Sequence, residues 1–309
     1  MITQRSWLRA SRSTYFVKTI DERDGNVEQR IPTRGPLDLA ATLESGQSFR
    51  WERHQGGYTG VAAGHLFFVR SEDTELVVSS PSCTDPASWA RAYFDIDTDY
   101  NELCTLLRGS DSKVAEAVDY CPGLRLLRQD AWETLVCFIL SQNNNIPRIK
   151  QMVHRLCSRW GARRTEGAHC WWQFPSPESL ASATEEEGKQ LGLGYRALAL
   201  VEAAGKVSSG MLDLDSLSEM STDEAREILM QQRGIGRKVA DCVLLFGVGK
   251  LDAFPIDVWI KRGLEHQYFA GEGQNLNVLR EFAQDHFEHH RGYAQNYLFY
   301  FTRSSSRKK

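Results

Sequence analysis

Residues 228–247, ILMQQRGIGRKVADCVLLFG, constrain the fold more than any other stretch of the chain. Two helical patterns meet there at GIGRK, 234–238, with space for only a tight turn between them. Gly234 and Gly236 permit that turn and let an anionic group come close to the backbone. The second helix then opens with its free N–H groups and positive dipole end pointing outward, which suits an anion. A nucleotide-binding P-loop is excluded, because its glycine spacing and Gly-Lys-Ser/Thr ending are missing. A dinucleotide fingerprint is excluded too, since a helix and not a strand precedes the glycines. A helix–hairpin–helix holding a DNA backbone fits the pattern better.

Lys238 stands at the mouth of the second helix. A helix N-terminus disfavours a cation, and burial disfavours it further, so an amine there is pushed toward the neutral form that Schiff-base chemistry requires. On the hairpin alone, a lysine that only binds phosphate is an equally open reading. A second segment, FPIDVWIKR at 254–262, places Asp257 after an extended approach set by Pro255, where it caps the following helix. By itself that is an ordinary N-cap. A lysine on one helix start and an aspartate on another also suits a carboxylate that stabilises a sugar cation as its base departs.

The rest of the chain reads as two unlike parts. Between residues 49 and 80, FRWERH, YTGVAA, HLFFVR and ELVVSS alternate between polar breaks as in an antiparallel meander, and STYFVKTI at 13–20 reads as a further strand. A short helix at 37–45 interrupts them. From about residue 86 the period is helical, with segments at 86–94, 99–107, 111–119, 130–142, 146–160, 194–208, 222–231, 238–248, 257–268, 276–287 and 292–302. Asp130 and Thr222 read as N-caps, and Pro147 as a first-turn proline. The fold class expected is α+β: an N-terminal twisted antiparallel sheet domain over 1–122, helical domains over 123–303 and a basic tail at 304–309. The 309 residues are enough for such an assembly. The seven cysteines include no CxxC pair, which argues against a disulfide framework, a zinc site or an iron–sulfur centre. No run has the length of a membrane span or the apolar core of a signal peptide, so a soluble intracellular protein is expected. The net charge of −3 argues mildly against a nucleic-acid partner, although phosphate binding needs only a local positive surface.

GIGRKVADC followed by FPIDV resembles the helix–hairpin–helix glycosylase superfamily. SGQSFRW at 45–51, LRLLRQD at 124–130, SQNNNIPRI at 141–149, LGLGYRA at 191–197 and GYAQNYLF at 292–299 narrow the resemblance to the 8-oxoguanine DNA glycosylase/AP lyase family, from about residue 35 to 302 and in the family's order. The resemblance implies that Lys238 attacks C1′ of a flipped nucleotide and forms a Schiff base, that Asp257 steadies the sugar cation and orients the lysine, and that β-elimination follows. It assigns the base pocket to Gly46, Phe138, Cys242, Gln295 and Phe299. The Gly46 carbonyl would accept the N7–H that 8-oxoguanine has and guanine lacks, Phe299 would stack on the purine opposite the Cys242 side, and Gln295 would meet the Watson–Crick edge. Asn143 would fill the vacated space, Arg148 and Arg196 would read the widowed cytosine, and Tyr195 would wedge the neighbouring step. Gly234, Gly236, Val239 and Trp259 would lie along the DNA backbone. The expected partner is duplex DNA carrying 8-oxoguanine, bound by a monomer that needs no cofactor or metal.

Three positions depart from the family pattern. Trp259 stands where animal members have a histidine near a phosphate, so the contact there is expected to be weaker or differently arranged. Thr302 replaces an aspartate that supports the cytosine-reading arginine, which points to relaxed opposite-base selectivity. Arg233 replaces a proline before the hairpin and adds charge. Two other functions remain open on the sequence: a glycosylase of the superfamily acting on alkylated purines or mismatched adenine, and a non-catalytic DNA-binding module. Lys238 counts against the first, since many such enzymes use the aspartate without a lysine.

Overall fold

The computed structural model describes residues 27–306, apart from the side chain of His289. The strand expected at 13–20 lies outside the described residues, as does the end of the basic tail. Five strands form one antiparallel sheet: β1 (Gln29–Pro32), β2 (Trp51–His54), β3 (Gly57–Ala62), β4 (His65–Glu72) and β5 (Glu75–Ser79), in the order β1-β5-β4-β3-β2. β2 to β5 are the expected meander, and β1 is added to its far edge with Arg30 opposite Val77. Tight turns fix the register, so Trp51, Tyr58, Phe67, Val69, Leu76 and Val78 enter one core. α2 (Pro86–Tyr93), capped by Asp85, covers that face. Its Trp89 stacks on Phe67 with ring centroids 3.5 Å apart, and its Tyr93 hydroxyl accepts a hydrogen bond from Trp51 Nε1 at 2.9 Å. α1 (Leu39–Glu44), capped by Asp38, contributes Leu39 and Leu43 to the same core.

The larger core is helical and is built around α5 (Ala131–Leu140). AWETLVCFIL is apolar on nearly every side, as a helix surrounded by others must be, and Asp130 caps it as expected. Around it lie α3 (Tyr100–Ser110), α4 (Ser112–Tyr120), α6 (Ile146–Trp160), α9 (Arg196–Ser208), α10 (Thr222–Met230), α11 (Arg237–Val243), α12 (Val258–Tyr268), α13 (Leu276–Phe287) and α14 (Arg291–Ser305). This core runs through the boundary expected at residue 122: Phe49, Tyr100, Leu103 and Val118 belong to it together with Leu135 and Leu200.

Three details differ from the sequence reading. The N-cap of α10 is Ser221, in a reciprocal capping box with Glu224, while the Thr222 hydroxyl donates to Asp252. α14 runs on to Ser305, so the tail begins later than residue 304. The sequence also concealed a hairpin, β6 (Arg163–Glu166) with β7 (His169–Trp172), and two one-turn helices, α7 (Pro177–Ala181) and α8 (Glu185–Gln190). β6 is exposed along its whole length and so shows no apolar alternation. α8 follows a capping box in which the Thr184 hydroxyl accepts from the Glu187 amide and the Glu187 carboxylate accepts in return. The acidic run at 184–187 is therefore a helix start.

Arg125 joins the two cores. It is completely buried, and its guanidinium donates to the carbonyls of Pro36 (3.1 Å), Asp95 (3.2 Å), Arg34 (3.2 Å) and Gly35 (3.2 Å) while lying 3.9 Å from the Tyr100 ring centroid. Replacing it with methionine leaves buried carbonyls without donors, at about 1–3 kcal/mol for each that water cannot reach. Arg125→Met is expected to lower the unfolding free energy by about 3 kcal/mol or more in urea titrations. An unchanged midpoint would show that Arg125 does not join the cores.

Candidate active site

Several separate elements converge on one cavity of about 330 Å³, among them the loop before α6 and its first turn with Asn144, Asn145, Ile146 and Pro147. The loop after α1 supplies Ser45, Gly46 and Gln47, and α5 supplies Phe138 with Ser141 at its C-cap. α11 supplies Lys238 and Cys242, the start of α12 supplies Asp257 and Trp259, and α14 supplies Gln295, Phe299 and Arg303. Both catalytic candidates and all five base-pocket candidates are thus brought together by the fold. The cavity has the size of a small-molecule site and is far too small for a duplex.

Lys238, on the second residue of α11, donates from Nζ to Ser141 Oγ at 3.2 Å, and Cys242, one turn further along α11, lines the same cavity. The lysine Nζ also lies 5.1 Å from the Phe138 ring centroid, a ring that stacks on Phe246. The Ser141 hydroxyl hydrogen is engaged with the Phe138 carbonyl at 2.7 Å, so Ser141 meets the lysine as an acceptor. Burial pushes the Cys242 thiol up to about 12 against the opposing effect of the lysine. It remains a neutral thiol at physiological pH, with no nucleophilic role. Sequence reasoning had not selected Ser141, although it opens the quoted SQNNN run.

Asp257 is both N-cap and cavity residue. Its Oδ1 accepts from the amides of Trp259 (2.9 Å) and Ile260 (2.8 Å), which leaves Oδ2 for the cavity that the side chain lines. The two readings of this residue are therefore compatible: capping fixes the carboxylate that faces the lysine's chamber. Gln295, 4% exposed, donates from Nε2 to the Pro255 carbonyl at 3.0 Å, and its Oε1 is buried without a partner among the described residues. An unpaired buried acceptor costs about 1–3 kcal/mol until a donor arrives. Gly46 has φ +103°, and a Cβ there would sit 2.7 Å from Ile146 Cδ1.

Beside the cavity, the three asparagines of the NNN run do three different things. Asn143 takes a left-handed backbone (φ +46°), is exposed, and donates to the Tyr195 hydroxyl at 3.3 Å. Asn144 donates to the Leu140 carbonyl, and Asn145 caps α6 by accepting from the Arg148 amide. Pro147 occupies the first turn of α6 as expected, and Arg148 is exposed. Tyr195 is 60% exposed. Arg196, expected to read the widowed cytosine, is 4% exposed, and its guanidinium donates to the carbonyls of Gln142 and Asn143 and lies 4.4 Å from the Tyr195 ring centroid. In this structure it braces the loop that carries Asn143.

In the hairpin, Gly234 has φ +72° and Gly236 begins α11 without a side-chain cap, with open space where a Cβ would stand. Val239 departs from its expected place, since its side chain is in the helical core and its amide donates to the Gly236 carbonyl at 3.0 Å. Arg233 pairs with Glu202 at 2.8 Å, which offsets the charge it adds. Thr302 packs on Gly263 of α12, with its hydroxyl buried and unpartnered among the described residues; that hydroxyl makes no bond to Arg148 or Arg196. Trp259 has the Arg262 guanidinium 5.7 Å from its ring centroid, so a cation stands beside the indole.

Residues 30–135 match the model of the 8-oxoguanine DNA glycosylase N-terminal domain, and residues 136–286 match that of the HhH-GPD superfamily base excision DNA repair proteins. A probable N-glycosylase/DNA lyase of Methanothermobacter thermautotrophicus is 31% identical over 308 residues, covering 89% of this chain and 96% of its own. The chain belongs to the 8-oxoguanine DNA glycosylase family. Among solved structures, MBOgg1 in complex with a low-affinity DNA ligand superposes with a TM-score of 0.86 at 40% identity, over 90% of this chain and 96% of that one. The Clostridium acetobutylicum 8-oxoguanine glycosylase/lyase, in complex with double-stranded DNA containing cytosine opposite 8-oxoguanine, gives 0.85 at 30% identity, over 92% and 99%. Among the described residues of this glycosylase-family chain, no cluster of three or more His, Cys, Asp or Glu side chains is placed to hold a metal, and no helix is long and apolar enough to cross a membrane.

The Gly46 backbone and its contact with Ile146 give a direct test of the cavity wall. Gly46→Ala is expected to lower the unfolding free energy by on the order of 1–3 kcal/mol. Adding Ile146→Val removes the closest contact, that with Cδ1, but leaves the backbone strain and the 3.3 Å approach of Cγ1, so calorimetry should show only partial recovery. Full recovery would locate the cost in the contact alone.

Proposed function

We propose that the protein is a bifunctional DNA-repair enzyme that flips 8-oxoguanine out of duplex DNA, excises it, and then cleaves the strand. The observation that carries this reading is the Lys238 amine held by Ser141 in a cavity that also contains Cys242 and Asp257. Once it has given up a proton, the amine held at Ser141 offers its lone pair to the remaining space, where C1′ of a flipped nucleotide sits. Attack forms the C1′–N bond as the glycosidic bond breaks, and the base leaves with the electron pair and a proton. Asp257 Oδ2 stabilises the positive charge on the sugar. The sugar ring opens to an imine; loss of a C2′ proton expels the 3′ phosphate, and water then releases the lysine.

Base choice rests on the other wall. The Gly46 carbonyl accepts the N7–H of the oxidised base, an acceptor that guanine leaves unpaired. Gln295 Oε1 receives a donor from the base edge, and Phe299 stacks on the purine with Phe138 behind the lysine. Asn143 and Tyr195 enter the duplex where the nucleotide has left, with Arg148 directed to the opposite cytosine. Arg196 joins it only by exchanging the loop carbonyls it now holds. The uncapped start of α11 with Gly234 and Gly236, and Trp259 with Arg262, receive phosphates. The site of action is a DNA-containing intracellular compartment.

Sodium borohydride is expected to trap the protein covalently on a duplex carrying 8-oxoguanine opposite cytosine, and Lys238→Gln to abolish the adduct. No adduct and no base release would send the reading to other lesions, or to a binding module. Asp257→Asn is expected to keep binding to damaged DNA while excision falls by at least about a hundredfold, the usual scale for loss of a group acting on transition-state charge. Near-normal excision by that variant would remove the role assigned to the carboxylate.

A further inference from the structure

Glycine is the residue least able to fix its own backbone, so the direction of the Gly46 carbonyl must be set by its neighbours. Gln47 is anchored on one side. Its Nε2 donates to the carbonyls of Thr42 (3.1 Å) and Arg125 (2.9 Å), its Oε1 accepts from the Leu127 amide (2.9 Å), and its own carbonyl accepts from Gln129 Nε2 (2.7 Å). On the other side the Ser45 hydroxyl donates to the Thr42 carbonyl, and the Ser45 carbonyl accepts from Arg303 Nη1. Arg303 comes from the opposite end of the chain. It lies one turn beyond Phe299 on α14, lines the same cavity, and has its guanidinium carbon 5.9 Å from the Phe299 ring centroid. A Cβ at Gly46 would be 3.8 Å from that Nη1.

We propose that Arg303 is a positioning residue for lesion recognition. It clamps the Ser45–Gly46 peptide against α14, so that the carbonyl that reads the base and the ring that stacks on it are held in one relative geometry. A planar guanidinium suits both duties, with one N–H directed at a carbonyl while the same group lies by an aromatic ring. The inference rests on the reading of Gly46 as the carbonyl that meets the lesion. It predicts that loss of Arg303 harms the step that inspects the base and leaves the step that does not. A strut for the fold, or a phosphate contact, would support both steps alike.

Arg303→Met and Arg303→Lys are therefore compared with the native protein on two duplexes, one with 8-oxoguanine opposite cytosine and one with a preformed abasic site. The ratio of 8-oxoguanine excision to abasic-site cleavage is expected to fall at least tenfold in Arg303→Met, along with the preference for 8-oxoguanine over guanine. Arg303→Lys, whose ammonium still reaches the carbonyl, is expected to recover part of both. An unchanged ratio in Arg303→Met, or a parallel fall in both activities, overturns the inference while the glycosylase reading stands. If the native protein cleaves the abasic duplex but releases no 8-oxoguanine, the reading of the cavity itself fails and takes this inference with it.

Discussion

A single buried guanidinium determines whether the active site exists. Arg125 has its side chain on the carbonyls of the 34–36 segment and Asp95, while its backbone serves the other side: its amide donates to Thr42 Oγ1 at 3.0 Å and its carbonyl accepts from Gln47 and Asn296. Sheet domain, base-reading loop and α14 therefore meet on one residue. Such a group is costly to bury and is tolerated only when its donors are matched, so the arrangement is nearly all-or-none. The neighbouring Asp95 extends the junction, accepting from Arg128, Tyr100 and Tyr293. The cavity lies beside this junction, and its two walls keep their spacing because the junction does not yield.

Within that frame the chemistry is assembled largely from helix ends. Lys238 lies in the first turn of α11, Asp257 caps α12, Ser141 closes α5, and Gly46 follows the C-cap of α1. Helix ends carry unsatisfied backbone groups and fixed partial charges, and the Asp257 and Ser141 side chains are oriented by them. Asp257 shows the consequence most plainly. Two amide bonds on one oxygen restrict the carboxylate and leave the second oxygen for the cavity, so the bonds that stabilise the helix also fix the carboxylate that lines the site.

Much of this was legible in the sequence, for identifiable reasons. The hairpin, the N-caps at Asp130 and Asp257 and the meander are written in local patterns of glycine, capping residue and alternation. The gathering of Lys238, Asp257, Gly46, Gln295 and Phe299 was legible only through the family's motifs, since nothing local in SGQSFRW and GYAQNYLF says that they touch. What could not be read had no local signal. The β6–β7 hairpin presents one fully exposed strand, α7 and α8 are single turns set by their caps, and β1 finds its partner more than forty residues away. Arg303 was missed, and the loop contacts of Arg196 were not foreseen, for another reason. An arginine's sequence neighbours do not reveal whether its guanidinium faces DNA or a loop carbonyl.

The acidic net charge, which argued against a nucleic-acid partner, follows from where the acids are placed. Glu185, Glu186 and Glu187 fill the first turn of α8, and Asp223 and Glu224 that of α10, where negative charge complements the helix dipole. Several are also paired, Glu185 with Lys189, Glu187 with Arg159 and Asp223 with Arg226. Neighbouring hydrogen bonds hold the Glu187 and Glu224 carboxyls below their usual range, so they stay charged where they cap. Lys238 stands instead in the first turn of α11, at the cavity. The sum over the chain says nothing about where its positive groups stand. Charge placement, not charge total, is what DNA meets on this surface, which is why a mildly acidic chain can carry the nucleic-acid site of its family.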